Sequence, residues 1–305
     1  MSTSPSTPAA VPPRHLLLAL AVVAVWGTNF VVIRAALDVL PPLAFAACRF
    51  ALAFLPALFV PRPKVKWRSL AAYGLLIGAG QFGLLFLAMD GWISPGLASL
   101  VVQSQVFFTI GLAIALSGER VRGYQLGALV LASAGILTIL VHNDRAATPL
   151  GIALTIAAAI SWAGGNQVAK ASGTTDMLGF VVWSSAFAVP PLVAAALLVE
   201  GAAPIVEAVQ RAGPGVWAAV VWQAVGNTLF GYAAWGWLLA RHPAATITPS
   251  AMLVPVFGMG TSALLLGEPL PGWKLLAAAL VLGGLALNLL WPRVSGYPWR
   301  RGAAS

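Results

Sequence analysis

Apolar residues in this chain come in runs near 20 long, one after another, with only short polar breaks between them. A helix rises 1.5 Å per residue, so a run of that length matches the thickness of a bilayer's hydrocarbon core. Ten such runs are found, at roughly 15–36, 42–60, 70–89, 95–116, 123–141, 150–170, 177–199, 215–239, 245–266 and 273–291. The breaks carry turn chemistry: Pro41-Pro42, Pro61 to Arg68, Ser94-Pro95-Gly96, Gly118-Glu119-Arg120, His142 to Pro149, and Pro269 with Pro271-Gly272. Composition agrees, with 60% apolar and 8% charged residues, against about 25% charged in a soluble domain. The expectation is an all-α polytopic membrane protein of ten transmembrane helices.

The formal charge of +9 does not indicate nucleic acid, because the basic residues are dispersed through the breaks rather than gathered on one face or tail. Their distribution instead sets an orientation. With the N-terminus in the cytoplasm, twelve Lys and Arg fall in inside segments, four (Arg34, Arg145, Arg211 and Lys274) fall outside, and Arg49 lies within a run. That bias places both termini inside. Residues 1–14, rich in Ser, Thr, Pro and Ala, are expected to be a flexible cytoplasmic tail and not a cleaved signal, and 292–305 a second tail. The single cysteine, Cys48, excludes an internal disulfide and a cysteine metal cluster.

The chain repeats itself. An offset of 149 sets Gly118-Glu119 on Gly267-Glu268, Gly123 on Gly272 and Gly135 on Gly284, while an offset of 136 sets Trp26 on Trp162 and Arg34 on Lys170. Gly80-Gln81 stands opposite Gly226-Asn227. Two repeats are expected, 15–141 and 150–291. Five spans each is an odd number, so the halves lie in the membrane with opposite topology, as carriers built from inverted repeats do.

Polar groups inside a span are costly unless they meet a cavity or a partner. Candidates for a midplane substrate cavity are the amides Asn29, Gln81, Gln103, Gln105, Asn166, Gln223 and Asn227, with Trp26 and Trp162 as aromatic walls. An amide donates and accepts, which suits a zwitterion; the plainer role is interhelical glue. Arg49 lies about 10 Å below the outer surface. It either receives a substrate carboxylate or, the favoured reading, pairs with Asp38 or Asp90 or snorkels outward. Pro249 and Pro255 are expected to break the ninth span's hydrogen bonding and let it bend. No Asp or Glu stands at mid-span, and Walker A, His-Glu-x-x-His and Gly-x-Ser-x-Gly patterns are absent. A carrier is therefore expected, not an enzyme, with no cofactor and no metal site. Its partners are a small-molecule substrate (an amino acid or metabolite) and the lipid bilayer, with no nucleic acid; the oligomeric state stays open, a monomer among the options.

The run Trp26-Gly27-Thr28-Asn29-Phe30 with Arg34, then Pro41-Pro42 and Cys48-Arg49-Phe50, resembles the first EamA domain of the drug/metabolite transporter superfamily. Gly96-Leu-Ala-Ser-Leu-Val and Gly118-Glu119-Arg120 extend the likeness, as do Ser161-Trp162-Ala163, Leu253-Val254-Pro255-Val256 and Gly267-Glu268 in the second half. Gln81-Phe82, Gln103 to Ile110 and Trp162 to Asn166 are similar to the amino-acid exporters within it, those for cysteine and O-acetylserine. The resemblance implies ten helices in two inverted halves, a central cavity and efflux across the bacterial inner membrane. A multidrug or other metabolite carrier of the same superfamily is the alternative, disfavoured by the lack of buried carboxylates. Proton antiport and facilitated diffusion both stand open as the driving force.

Overall fold

The computed structural model describes residues 12–117, 123–142, 147–242 and 247–294. Among these the chain is helical, apart from an isolated bridge between Ile93 and Ala147. The helices are α1 (Pro13–Leu37), α2 (Pro42–Leu58), α3 (Trp67–Met89), α4 (95–117), α5 (Gly123–Val141), α6 (Pro149–Ser172) and α7 (Met177–Val199). They continue with α8 (Ala202–Arg211), α9 (214–241), α10 (248–266) and α11 (Gly272–Val294). Seven of them, α1, α3 to α7 and α11, are long and apolar enough to cross a membrane, and α2 and α10 are shorter apolar helices. Side chains such as Leu198 and Leu264, 86% and 84% exposed, suit a surface bathed in lipid rather than water.

Helix α8 was not expected from the apolar runs. It is short and strongly amphipathic, with Ala208 buried and an exposed Glu207–Arg211 ion pair of 3.6 Å on its polar side. A ten-residue helix carrying charge does not register in a search for spans.

The bundle is organised by long pairwise packings: α2 along α7, α5 along α11, α1 and α4 against α10, α3 against α6 and α7, and α6 against α4. Where α1 crosses α10, Gly27 leaves no room for a side chain. A Cβ there would fall on that of Phe257 and lie 2.6 Å from the Val254 carbonyl oxygen. Backbone cannot yield as a side chain tip can, so Gly27→Ala must push the two helices apart. The expected cost is about 1–3 kcal/mol, read as a lower thermal-unfolding midpoint in detergent; an unchanged midpoint would mean the crossing is loose.

Two less common backbone forms recur in the bundle, the 3₁₀ form also at Leu55–Leu58, the end of α2. Gly74–Gly83 in α3 and Trp222–Phe230 in α9 are π-helical, and Val102–Ser104 in α4 and Thr248–Leu253 in α10 are 3₁₀. Both forms displace carbonyls from the regular ladder. Side chains from neighbouring helices meet some of them: Ser161 Oγ donates to the Leu76 carbonyl at 2.8 Å, and Trp26 Nε1 to the Asn227 carbonyl at 3.2 Å. Pro255 has no N–H for the Ala251 carbonyl four residues back, and Gln103 Nε2 donates to that carbonyl at 3.0 Å. Pro249 stands in the first turn of α10, where its missing N–H costs nothing, and Pro255 stands just past the 3₁₀-to-α junction.

Two glutamates cap helices from a distance. Glu268 accepts from Ser94 Oγ (2.5 Å), the Gly96 N–H (3.0 Å) and Lys274 Nζ (3.0 Å), binding the first turn of α4 to the loop between α10 and α11. The chain turns there because Gly267 takes the left-handed conformation, φ 65°, that ends α10. Glu200, just beyond α7, accepts the Leu43 and Ala44 N–H groups at 2.6 and 3.1 Å, capping α2. Burial raises the Glu200 carboxyl above its ordinary value, with Asp90 adding to the shift and the two N–H groups opposing it. An acid that holds its proton more tightly when folded contributes stability below its unfolded pKa and loses that contribution as pH rises through the folded one. Above pH 4.5, the ordinary value, the thermal midpoint should therefore decline more steeply with pH in the natural protein than in Glu200→Gln. Parallel profiles would refute the shift.

Candidate functional site

The helices α1, α3, α4, α6, α9 and α10 enclose a chamber. The glycine-rich π stretch of α3 presents Gln81 and Phe82 to it, α4 presents Gln103 at its 3₁₀ turn, and the π stretch of α9 presents Asn227. Trp26 and Asn29 enter from α1, Trp162 from α6, and Tyr232 from the turn after the α9 π stretch. Space remains for about three water-sized molecules. No acidic side chain lines it.

Six of the ten substrate-binding candidates thus share one wall: Trp26, Asn29, Gln81, Gln103, Trp162 and Asn227. The others do not line it. Gln223 is wholly buried and serves as a hub, its Nε2 donating to Asn29 Oδ1 at 2.7 Å and its Oε1 accepting from Asn29 at 3.3 Å, Asn227 at 3.4 Å and Arg49 at 3.0 Å. Gln105 and Asn166 bond each other at 3.2 Å between α4 and α6, with Thr109 beside them. Both are half-buried, and their bond ties α4 to α6, the role of interhelical glue.

Arg49 also differs from the favoured expectation. It neither snorkels nor pairs with Asp38 or Asp90: its side chain is fully buried, and Asp38 is taken by Arg34 at 2.7 Å. Its Nε and Nη2 donate to Thr228 Oγ1 at 3.1 and 2.8 Å and its Nη1 to Gln223, while its Cζ stands 3.5 Å from the centre of the Phe82 ring. Among the described residues the ion pairs are Arg34–Asp38, Glu207–Arg211 and Lys274–Glu268, so no carboxylate balances this guanidinium. A second, smaller cavity opens beside it, about one water in size, reached by Tyr73, Thr228 and Tyr232. Phe82 and Tyr232 line both spaces and form the partition between them.

Most chamber amides are already engaged. Gln103 Nε2 donates to the Ala251 carbonyl at 3.0 Å, and Asn29 and Asn227 belong to the Gln223 hub. Gln81 is the exception. It is 3% exposed, and its Oε1 is buried with no hydrogen-bond partner. Ser104 and Ser262 have unpartnered hydroxyls as well, but neither lines the two cavities. Tyr232 is not among the residues expected at the site; its place beside both spaces depends on the register of α9 against α2 and α3, which no local pattern encodes.

Comparison with known proteins fits this architecture. The model of the EamA-like transporter family matches residues 14–141 and again residues 149–290. A probable amino-acid metabolite efflux pump of Escherichia coli (strain K12) is 40% identical, over 93% of this chain and 96% of that protein. A probable terminal-alkyne amino-acid exporter of Streptantibioticus cattleyicolor is 26% identical, over 87% of this chain and 90% of that one. A solved crystal structure superposes with a TM-score of 0.62 over 96% of this chain and 99% of that chain, at 19% identity, a likeness of fold. The two family matches take in nearly every described helix, the helices of the chamber among them, and the chain belongs to the EamA-like transporter family.

Proposed function

We propose that the protein exports small amino acids or their metabolites across the bacterial inner membrane, by alternating access around the chamber. Ten helices cross in this reading, α1 to α5 as one half (15–141) and α6, α7, α9, α10 and α11 as the other (150–291), with opposite topology and both termini in the cytoplasm.

The carrying observation is that residues matched between the halves converge on one space: Trp26 with Trp162, and Gln81 with Asn227. The matched π segments support the repeat, since that form is rare and seldom coincides by chance, and two of the three 3₁₀ segments match as well. Packing supports it too. Exchanging the halves maps the α2–α7 and α5–α11 contacts onto themselves, α1–α10 onto α6–α4, and α3–α6 onto α9–α1. The family match in two copies and the names of the relatives favour amino-acid efflux. An unbalanced guanidinium beside the chamber favours substrates with an anionic group over the cationic drugs of the rival reading.

Counterflow tests this. Purified protein in liposomes should exchange at least one of radiolabelled cysteine, O-acetylserine, threonine or phenylalanine. A pH gradient that changes the exchange rate beyond empty-liposome leak would add proton coupling. No uptake above empty liposomes by folded protein rejects amino-acid export.

A further inference from the structure

Resting on the amino-acid reading above, we infer that the chamber and the smaller cavity beside Arg49 are two parts of one bipartite site: Arg49, Tyr73 and Tyr232 receive the substrate carboxylate, and Gln81 receives its ammonium group.

The smaller cavity is bordered by Arg49, Tyr73 and Tyr232 among mostly apolar neighbours, and these three side chains carry donors that the protein leaves unused. A guanidinium has five N–H groups, and two of those on Arg49 remain after its bonds to Thr228 and Gln223. Tyr73 and Tyr232 line the same cavity, and neither hydroxyl has a hydrogen-bond partner among the described residues. Tyr73 is 4% exposed, so water from outside the bundle does not reach it freely. Buried donors without acceptors are costly, and a cation without a counter-charge more so. A single carboxylate satisfies all three groups at once, with two oxygens accepting from the fork and the phenols.

Across the Phe82–Tyr232 partition the chemistry reverses. The buried Gln81 Oε1 lacks a donor, and the rings of Trp26 and Tyr232, 5.6 Å apart, line the same chamber. An ammonium group donates to the amide oxygen and is attracted to the rings. The two parts adjoin at Phe82 and Tyr232, so one small molecule carrying both charges, an α-amino acid, can engage both, whereas an amine or an ester engages one. The side chain would then lie in the apolar remainder of the chamber.

Tyr73→Phe and Tyr232→Phe remove one oxygen each and leave the aromatic packing in place. In counterflow each should raise the half-saturating concentration of an exchanged amino acid at least about tenfold. Competition by its decarboxylated amine, weak from the outset, should not change. Equal half-saturation in both variants and the natural protein, with exchange intact, overturns the carboxylate subsite while leaving amino-acid export standing. Thermal stabilisation of the purified full-length protein by propionate, compared with ethylamine, provides a readout that does not depend on transport. Stabilisation by propionate that both Phe variants lose supports the subsite even if no amino acid is exchanged. A failure of propionate to stabilise the natural protein overturns it.

Discussion

Replacing Arg49 with methionine should reduce amino-acid exchange at least about thirtyfold while leaving the protein as stable as before, or more so. The two halves of that expectation have separate causes. Loss of a charge-assisted anchor for a buried carboxylate costs roughly 2–5 kcal/mol of binding, which sets the transport effect. Stability moves the other way because the guanidinium is buried without a counter-charge, and an apolar side chain of similar volume removes that desolvation penalty. The acceptors it abandons keep other bonds: Gln223 Oε1 retains Asn29 and Asn227, and the Thr228 hydroxyl still donates to the Gln223 carbonyl at 2.8 Å. Counterflow and thermal unfolding on the same preparation decide it. A methionine variant that loses stability and transport together would make Arg49 a structural group. Arg49→Lys keeps the charge without the fork and should fall between.

The apolar runs marked the helices within a few residues, because hydrophobic thickness is a property of local sequence. The chamber was partly legible for a different reason. Repetition pointed at Trp26 with Trp162 and at Gln81 with Asn227 before any contact was known, and all four line it. Repetition does not separate a cavity amide from a bonded one. Asn29 and Gln223 are 194 residues apart, Gln105 and Asn166 are 61 apart, and whether two such amides meet depends on how whole helices are rotated against each other. Arg49 shows the same limit more sharply. Asp38 and Asp90 were reasonable partners by depth, but Asp38 is satisfied one turn away by Arg34, and the α2 face carrying Arg49 turns to Thr228 on α9. Helix α8 and the π stretches are not legible in the sequence, because charge masks the first in the hydropathy pattern and no composition rule announces the second.

Removing the Glu268 carboxylate should produce the largest loss of stability of any change at the loop ends. Lys274 has a side chain 1% exposed and Glu268 one 9% exposed, so Glu268→Ala leaves an ammonium buried without its partner, at a cost of about 3–5 kcal/mol. It also frees the Ser94 hydroxyl and the Gly96 N–H in the first turn of α4. The comparison with Glu200 shows why charge matters more than capping: that carboxylate also accepts two backbone N–H groups but stands outside every ion pair found among the described residues. Its loss should cost about 1 kcal/mol, the scale of a cap. The double variant Glu268→Gln, Lys274→Met should recover most of the lost thermal midpoint, since it removes the stranded charge and keeps an acceptor for Ser94. If the double variant is no more stable than Glu268→Ala, the stranded lysine is not the source of the loss. Transport separates this clamp from the substrate site. Because α4 carries Gln103 and Val102 into the chamber, the rescued double variant should exchange amino acids with an altered rate but an unchanged preference for the amino acid over its amine, whereas the Arg49 variant loses the preference itself.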